Sequence, residues 1–239
     1  MTLFAGECWV FIILLFLQGE FDMSEQKPRA IVFIDGNNFY HNTKILGLEP
    51  KFIDFHKLSK LLTKQFNCNL VRSIYYNSVP SIKDGEQMYY NHQKFLSEIR
   101  ALPNFEAKTR KLQRHSNQEI IQEKERLISS LGTCKVCEPL IKGFCSDCIG
   151  GIKKREKGID VMIAVDMLFL SLVKNECDCC ILISGDADFI PVMQLISSNN
   201  KKVYTSSVIP GYSYELRSSF KYFILTKDIL FKECSKDFK

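Results

Sequence analysis

The chain has 239 residues, a length that suits one α/β domain with an insertion, or one domain plus a small module. Apolar residues make up 46% of it, which is enough for a packed core and excludes a generally disordered protein. The net charge of +5 is a mild basic excess, and taken alone it is weak support for a polyanionic partner.

Residues 1–28 form an N-terminal extension before the first predicted strand. Within it, Cys8–Leu17 is an apolar run that is too short to span a bilayer, which takes about 20 residues. A secretory signal would carry a basic residue before such a run, and none precedes this one. Because Met23 opens a polar stretch that leads directly into a strand, we expect the native chain to start there. Residues 1–22 would then be an untranslated upstream extension, and a membrane anchor is the alternative.

Predicted strands and helices alternate along the rest of the chain. The strands are Ala30–Asp35, Asn69–Val79, Phe105–Lys111, 179–184, 201–207 and 221–225. The helices are 38–46, Asp54–Phe66, Asp84–Ala101, 159–173, Ala187–Asn199 and Ser213–Phe220. This alternation predicts an α/β domain over residues 29–226 with a mainly parallel sheet and helices on both faces, followed by a C-terminal tail at 227–239.

An insertion at 115–152 interrupts this alternation and carries paired cysteines. After a predicted amphipathic helix at Ser116–Gly132, two Cys-x2-Cys pairs follow, separated by seven residues. The four cysteines are Cys134, Cys137, Cys145 and Cys148. Four thiolates with this spacing typically hold Zn²⁺ tetrahedrally in a closed structural site, so we predict a small zinc-binding insertion. Two redox disulfides are the alternative, and the reducing conditions of the cytoplasm disfavour them.

A second cysteine cluster lies where the fourth predicted strand begins. Cys179 and Cys180 open that strand, and Cys177 comes just before it. Cysteine in a buried strand packs as a small hydrophobic residue. We therefore assign these side chains to the core, with a second metal site as the alternative.

Acidic side chains follow strands whose carboxyl ends are expected to share one edge of the sheet. Asp35 closes the first strand, and Asp186 and Asp188 come directly after the fourth. Asp160 begins the helix that leads into the fourth strand. Carboxylates that lie this close repel one another, and a hard divalent cation removes that cost. The pattern predicts a site for Mg²⁺ or Mn²⁺ at the edge where parallel sheets bind their ligands.

Each of these acids also has a simpler interpretation. Asp186 or Asp188 would serve as the N-cap of the next helix, and Asp160 as a first-turn acid that favours the helix dipole. Asp35 is the least open to this explanation, because Asn37 is able to cap the helix that follows. The metal interpretation therefore depends on all four acids together.

Three stretches carry a resemblance to a known family. They read VFIDGNNFY at 32–40, KGIDVMIAVDML at 157–168 and ILISGDADFIPVMQLISSNNKKVY at 181–204. In this order they resemble the NYN domain family of PIN-like ribonucleases, over residues 29–226 apart from the insertion. The run SGDADF after an apolar strand is the most specific part of the resemblance.

The resemblance implies a Rossmann-like α/β/α sandwich, PIN-like in type, with a metal-dependent ribonuclease site. By this analogy the metal ligands are Asp35, Asp160, Asp186 and Asp188. Asn38 would orient a phosphate or a metal-bound water. Asp166 also falls on the motif, but it lies six residues after Asp160 and so points to a different side of the helix. We therefore expect it to position the metal ligands without binding the metal itself. No nucleophilic side chain is required, because a metal-bound hydroxide can attack a phosphodiester directly.

Basic residues bracket the insertion. Before it lie Lys108, Arg110, Lys111 and Arg114, and after it lie Lys153, Lys154, Arg155 and Lys157. If the insertion brings its two ends together, both clusters lie at its base, close to Asp160. We predict that they grip RNA phosphates, with a solvated charged surface as the alternative.

The resulting prediction is a cytoplasmic ribonuclease that hydrolyses RNA phosphodiester bonds with Mg²⁺ or Mn²⁺. The main alternative is a non-catalytic RNA-binding or regulatory module with the same fold. A third option, phosphatase-type chemistry on small phosphate esters, suits the acids but not the basic bracket. RNA is the expected partner, no stable membrane association is expected, and a homo-oligomer is compatible with the pattern.

Overall fold

The structure, a computed structural model, is built around one six-stranded sheet. It describes residues 26–111, 113–114, 122, 125–126, 129–130, 132, 134–143, 154–155 and 158–236. The strands are β1 (Arg29–Asp35), β2 (Asn69–Val79), β3 (Phe105–Lys111), β4 (Gln113–Arg114), β5 (Lys154–Arg155), β6 (Cys179–Ile183), β7 (Lys202–Val208) and β8 (Lys221–Leu225). Those of the main sheet follow the order β3-β2-β1-β6-β7-β8.

Helices connect these strands and cover both faces of the sheet. They are α1 (Gly36–Ile45), α2 (Phe55–Gln65), α3 (Glu86–Arg100), α4 (Cys137–Gly143), α5 (Ile159–Leu168), α6 (Ile190–Ser198), α7 (Tyr214–Ser219) and α8 (Lys227–Cys234). Short 3₁₀ turns occur at Pro50–Phe52, Ile82–Asp84, Ala187–Phe189 and Ile209–Gly211, and a π-helical turn at Phe169–Val173 continues α5. The predicted strands and helices are confirmed, most of them to within two residues at each end.

The order of the strands reverses between β1 and β6. From β1 the chain moves outward to β2 and β3, and β6 then returns to the other side of β1. Every neighbouring pair in the main sheet is parallel, as predicted. In an open parallel sheet, ligands bind beyond the carboxyl ends of the strands at such a reversal. The fold therefore places its natural crevice where β1 and β6 end.

Two apolar layers hold the helices against the sheet. On one face, Val32 and Ile34 of β1 pack in a cluster with buried side chains of α1, α2, α3 and α8. On the other face, Ile31 and Phe33 pack with α5, α6 and α7. Alternate residues of β1 point to opposite faces, and both sets are fully buried because helices cover the sheet on both sides. The result is the predicted three-layer α/β/α arrangement.

Side-chain caps fix where several helices begin. Asp54 accepts hydrogen bonds from the backbone N–H groups of His56 and Lys57 at the start of α2, as its position predicts. Ser213 and Thr226 cap α7 and α8 in the same way. Each cap satisfies backbone donors that the first helical turn leaves without a partner.

The insertion leaves and rejoins the domain through a short antiparallel pair. In the β4–β5 pair, Gln113 lies opposite Arg155 and Arg114 lies opposite Lys154. This confirms that the two ends of the insertion come together. Most of the predicted helix at Ser116–Gly132 lies outside the described residues, as do Cys145 and Cys148.

The segment after residue 226, which we expected to be a tail, is partly helical and belongs to the domain. Helix α8 packs against α2, and the backbone N–H of Asp54 donates to the carbonyl of Cys234 at 2.7 Å. Within the ranges given above, no helix has the length and apolar character needed to cross a membrane. The apolar run Cys8–Leu17 lies outside those ranges.

Candidate active site

One row of polar side chains crosses the sheet at its carboxyl edge. In register, Asp35 of β1 lies beside Tyr76 of β2, and Tyr76 lies beside Lys108 of β3. On the other side, Ile34 pairs with Ile183, so that Ser184 follows as the neighbour of Asp35. Registered neighbours of a parallel sheet point to the same face. The row therefore runs from Lys108 through Tyr76 and Asp35 to Ser184, on the face that α5 covers.

Asp35 is a buried carboxylate at the reversal point of the sheet. The residue as a whole is only 5% exposed to solvent. One oxygen accepts a hydrogen bond from the backbone N–H of Asn38 at 3.1 Å, and the other accepts one from the hydroxyl of Ser184 at 2.9 Å. Asp35 is thus the N-cap of α1, and our expectation that Asn37 could take that role was wrong. The strand ends at Asp35 itself, so its carboxylate is the one that reaches the open N–H groups.

Ser184 joins Asp35 to Asp186. While its hydroxyl donates to Asp35, the same oxygen accepts a hydrogen bond from the backbone N–H of Asp186 at 3.2 Å. The hydroxyl oxygen of Ser184 therefore connects the Asp35 carboxylate to the backbone of Asp186. The two residues therefore lie at the same edge of the sheet, and their joint role as metal ligands stays a prediction.

Asn38 fixes the loop after β6 from the opposite side of the crevice. Its side-chain oxygen accepts hydrogen bonds from the backbone N–H of Gly185 at 3.2 Å and from the amide of Asn42 at 2.9 Å. With the oxygen used twice, the amide nitrogen of Asn38 is the group left to donate toward a ligand. A side chain at Gly185 would overlap the carbonyl oxygen of Gly211, so only glycine permits this close approach.

The remaining predicted acids lie around this centre with different exposure. Asp186 is half-buried, and its carboxylate accepts a hydrogen bond from the backbone N–H of Asp188 at 2.9 Å, which caps the turn Ala187–Phe189. Asp188 and Asp160 are exposed. Asp160 stands in the first turn of α5, where a carboxylate also favours the helix dipole. The capping interpretation therefore holds for Asp186, alongside its place in the crevice.

The chemistry of the crevice suits a hard cation, although the structure does not assemble a four-carboxylate cage. Among the described residues, no three Asp, Glu, His or Cys side chains lie together as a group able to hold a metal ion. Mg²⁺, however, is usually bound through one or two carboxylates together with waters and substrate phosphates. A site of this sparser type would use Asp35 at the end of β1 and Asp186 after β6.

Asp166 supports the site through an ion pair beneath the row. Its carboxylate accepts a hydrogen bond from the hydroxyl of Tyr76 at 2.7 Å and forms an ion pair with Lys108 at 2.8 Å. Burial, followed by the bond to Asp166, raises the pKa of Tyr76, so that the hydroxyl keeps its proton and acts as a donor. The side chains of Lys108 and Asp166 are 29% and 16% exposed. Lys108, which we expected to contact RNA, thus has its ammonium group paired with Asp166 of α5, and its contact with RNA stays a prediction.

The other predicted basic residues flank the insertion in sequence, and we call them the basic rim. It comprises Arg110, Lys111, Lys153, Lys154, Arg155 and Lys157. Arg110 and Lys111 are exposed, and the guanidinium of Arg110 donates to the carbonyl of Gly158 at 3.4 Å. Gly158 has φ of +83°, and a side chain there would overlap Arg110. Lys153 and Lys157 lie outside the described residues, whereas the backbone of Lys154 and Arg155 forms β5.

The first cysteine pair of the insertion, Cys134 and Cys137, forms a tight turn. The backbone N–H of Cys137 donates to the carbonyl of Cys134 at 3.0 Å, and both cysteines are exposed. Hydrogen bonds from the backbone N–H groups of Cys137 and Val136 lower the pKa of Cys134, which favours its thiolate. The second pair, Cys145 and Cys148, lies outside the described residues. The cluster of Cys177, Cys179 and Cys180, in contrast, is fully buried in the core, as we assigned it.

Ser184 and Tyr76 are polar residues of the candidate site whose place beside Asp35 we did not derive from the sequence. Ser184 stands at the end of an apolar strand directly before Gly185, and a polar residue in that position is the signal that could have identified it. Tyr76 lies within a strand whose composition gives no signal of a site. It is identified only by the pairing of β1 with β2, which sets it beside Asp35.

Together these observations define an α/β/α protein with an acidic crevice at the reversal point of a parallel sheet. The family model described as NYN domain matches residues 29–227. The match covers most of the chain, so the protein belongs to the NYN domain family, which is in general a family of PIN-like nucleases. This confirms the predicted family.

One solved structure shows the same fold at low sequence identity. It is a crystal structure of a protein of unknown function from Vibrio parahaemolyticus, with 17% identity and a TM-score of 0.51. The similarity covers 90% of this chain and 99% of the other. At this identity the similarity supports the α/β fold alone. A search of curated proteins finds no match.

Proposed function

We propose that the protein is a Mg²⁺- or Mn²⁺-dependent ribonuclease that hydrolyses phosphodiester bonds of RNA. The observation that supports this best is the link from Asp35 through Ser184 to Asp186 at the reversal point of the sheet. Membership of the NYN family adds a nuclease-like fold. A cation bound between the two acids would offset the repulsion of their carboxylates.

Asp35 and Asp186 would hold the cation, with Asp160 and Asp188 at the outer side of the crevice. A bound Mg²⁺ or Mn²⁺ supplies an activated water and stabilises charge on the phosphate. Ser184 and the backbone of Asn38 hold the Asp35 carboxylate in one orientation, because each of its oxygens accepts one of their hydrogen bonds. The ligands are thereby positioned before any substrate binds.

Asn38 would bind the substrate directly. Since its side-chain oxygen accepts from Gly185 and Asn42, its amide nitrogen would be the group that donates to a phosphate oxygen. The basic rim would extend this contact along the RNA backbone, because Arg110 stands next to Gly158, immediately before α5 and Asp160. Such contacts to phosphates give affinity that falls as salt concentration rises.

The insertion would be held by a structural Zn²⁺ bound to Cys134, Cys137, Cys145 and Cys148. The lowered pKa of Cys134 and the tight turn to Cys137 support the first half of this site. Four thiolates close the coordination sphere of zinc, so the ion would stabilise the insertion and not act in catalysis. The paired strands β4 and β5 then hold the insertion next to the basic rim.

Cleavage of a fluorescently labelled single-stranded RNA by the purified full chain tests the proposal. We expect cleavage with Mg²⁺ or Mn²⁺, none with EDTA, and a loss of at least about a hundredfold in Asp35→Asn and Asp186→Asn. Asparagine keeps the shape of aspartate and is itself a good N-cap, so these variants should fold. Asp178→Asn, at the opposite edge of the sheet, is the matched control and should cleave normally.

RNA binding without cleavage would instead favour the non-catalytic alternative. If the wild type binds the labelled RNA but neither metal ion supports cleavage, the protein is an RNA-binding module. Charge reversal of Lys153 and Lys154 to Glu should weaken binding and reduce its dependence on salt. The same reversal at Lys60 and Lys64, two exposed lysines of α2, is the control and should have little effect.

A further inference from the structure

The turn after β7 borders the crevice on the side away from β3. Its last residue, Gly211, lies so close to Gly185 that a side chain at Gly185 would overlap the Gly211 carbonyl oxygen. A side chain at Gly211 would in turn overlap the amide of Asn42 on α1. The turn therefore packs tightly between α1 and the loop that carries Asp186. Since β7 and β3 lie on opposite sides of the β1–β6 pair, the turn and the basic residues of β3 border the acids from opposite sides.

Directly after this turn, a stack of side chains holds an arginine in place. Tyr212 packs edge-on against Tyr222 of β8, with the ring centres 5.8 Å apart. The hydroxyl of Tyr222 is hydrogen-bonded to the hydroxyl of the buried Ser207. On the outer side, the guanidinium of Arg217 lies over the ring of Tyr212, 5.7 Å from its centre, and donates to its hydroxyl at 3.2 Å. The core thus supports Arg217 through two aromatic rings.

Arg217 keeps most of its hydrogen-bonding capacity for a ligand. A guanidinium has several N–H donors in one plane, and the bond to Tyr212 uses a single nitrogen. Arg217 is exposed, and in the part of the chain that the structure describes no carboxylate forms an ion pair with it. A guanidinium that is held in place and has no acidic partner suits a phosphate group, which accepts parallel N–H bonds from it.

An exposed tyrosine stands on the same side of α7 as this arginine. Tyr214 is 75% exposed, and it precedes Arg217 by three residues, a spacing that makes two side chains neighbours on a helix surface. Leu216, on another side of α7, is buried in the core and fixes the helix on the domain. Most of the Tyr214 ring is therefore open to a ligand. An aromatic ring beside an arginine is the combination that binds single-stranded nucleic acid.

We propose that Tyr214 and Arg217 form a subsite for one unpaired nucleotide of single-stranded RNA, next to the phosphodiester at Asp35 and Asp186. Arg217 binds a backbone phosphate, and the ring of Tyr214 stacks on the base. This inference rests on the proposed ribonuclease function and adds that the substrate is single-stranded, because a base in a duplex is not free to stack on a side chain. The RNA then crosses the carboxyl edge of the sheet from β3 to α7 and passes over both acids.

Fluorescence anisotropy of a labelled single-stranded RNA with the full chain tests the subsite. Buffer without added Mg²⁺ or Mn²⁺ separates binding from cleavage, and circular dichroism checks folding. We expect Tyr214→Ala and Arg217→Ala each to raise the dissociation constant at least about fivefold. Phe231→Ala and Arg100→Ala are the matched controls and should bind like the wild type. Phe231 is 66% exposed on α8, which packs on the other face of the sheet, and Arg100 is exposed at the end of α3.

Salt dependence and a duplex separate the roles of the two residues. Arg217→Ala should reduce the slope of log Kd against log salt concentration by about 1, whereas Tyr214→Ala should leave this slope unchanged. Arg217→Lys should retain the slope because it keeps the charge, and Tyr214→Phe should retain the affinity because it keeps the ring. With the same RNA annealed to its complement, Tyr214→Ala should have no effect on binding.

Two results overturn the subsite by itself. One is wild-type affinity in both alanine variants, and the other is an equal loss in Tyr214→Ala with single-stranded and duplex RNA. If RNA is cleaved in the assay with metal while either result holds, only the subsite fails. If binding depends on Tyr214 and Arg217 but no cleavage occurs, the ribonuclease proposal fails and the subsite stands. A wild type that binds no RNA overturns both.

Discussion

The hydroxyl of Ser184 donates to the carboxylate of Asp35 across 2.9 Å, although the two residues are 149 positions apart in the chain. This bond ties the end of β6 to the end of β1 at the reversal point of the sheet. Since the same oxygen accepts from the backbone N–H of Asp186, the serine ties the Asp35 carboxylate to the loop that carries Asp186, the other proposed metal ligand. Its removal should affect both the stability of the fold and the affinity for metal.

Replacing Ser184 by alanine should lower the free energy of unfolding by about 1–3 kcal/mol, because it leaves a buried carboxylate oxygen without that donor. Urea denaturation followed by circular dichroism measures this loss. Ser198→Ala is the control, because the hydroxyl of Ser198 bonds only locally, to Leu195, on an exposed helix end, and its loss should cost less than about 0.5 kcal/mol. Equal losses in the two variants would contradict the importance of the Ser184 bond.

Replacing Lys108 by methionine should destabilise the domain by about 1–3 kcal/mol. The change removes the cation from a partly buried ion pair and leaves Asp166 with Tyr76 as its donor. Lys174→Met, which breaks an exposed pair with Glu176, should cost less than about 1 kcal/mol. Chemical denaturation of both variants gives the comparison. A larger loss of unfolding free energy in Lys174→Met than in Lys108→Met would show that the ion pair between Lys108 and Asp166 contributes little to stability.

The ion pair between Arg29 and Asp178 should contribute to stability above pH 4 and lose that contribution in acid. Hydrogen bonds from the Arg29 guanidinium lower the pKa of Asp178 to about 2. The folded state therefore favours the charged carboxylate, and its contribution disappears as the pH falls from about 4 through about 2.

The size of this effect should be small. Both side chains are more than 40% exposed, so solvent screens the pair and Asp178→Asn should cost less than about 1 kcal/mol at pH 7. We expect the difference in free energy of unfolding between wild type and variant to shrink toward zero at pH 2.5, measured by urea titration. A difference that grows in acid would have the wrong sign for this mechanism.

Metal analysis of the purified protein should find one zinc ion per chain. Cys134→Ser should lose this zinc, because serine does not replace a thiolate ligand of the soft tetrahedral site. Cys68→Ala is the control, since Cys68 is buried away from the insertion and should leave the zinc content unchanged. Zinc retained at full stoichiometry in Cys134→Ser would remove this cysteine from the proposed ligands.

Much of the fold follows from local sequence patterns. The apolar strands, the Asp54 cap and the alternation of strands and helices are each encoded within about ten neighbouring residues. Asp35 and Asp186 could be placed together because both follow buried strands, and the ends of parallel strands meet at one edge. The short helix α8 was not predicted, since its few apolar positions, such as Leu230, become informative only against α2.

The details of the site depend on register, which the sequence does not show. Tyr76, Lys108 and Asp166 come from β2, β3 and α5, and they meet because β2 and β3 pair in one particular alignment. A shift of one residue would turn Lys108 to the other face of the sheet. For the same reason the sequence suggested Lys108 as an RNA contact, whereas its ammonium group is bound to Asp166.

The β4–β5 pair makes the insertion a side branch of the domain. Arg114 and Lys154 lie opposite each other, so the chain returns to its starting point before α5 begins. None of the six strands of the main sheet comes from the chain between β4 and β5. Replacing the insertion with a tight turn should therefore leave the main sheet intact. Other inserted modules should be tolerated at the same position, next to the crevice.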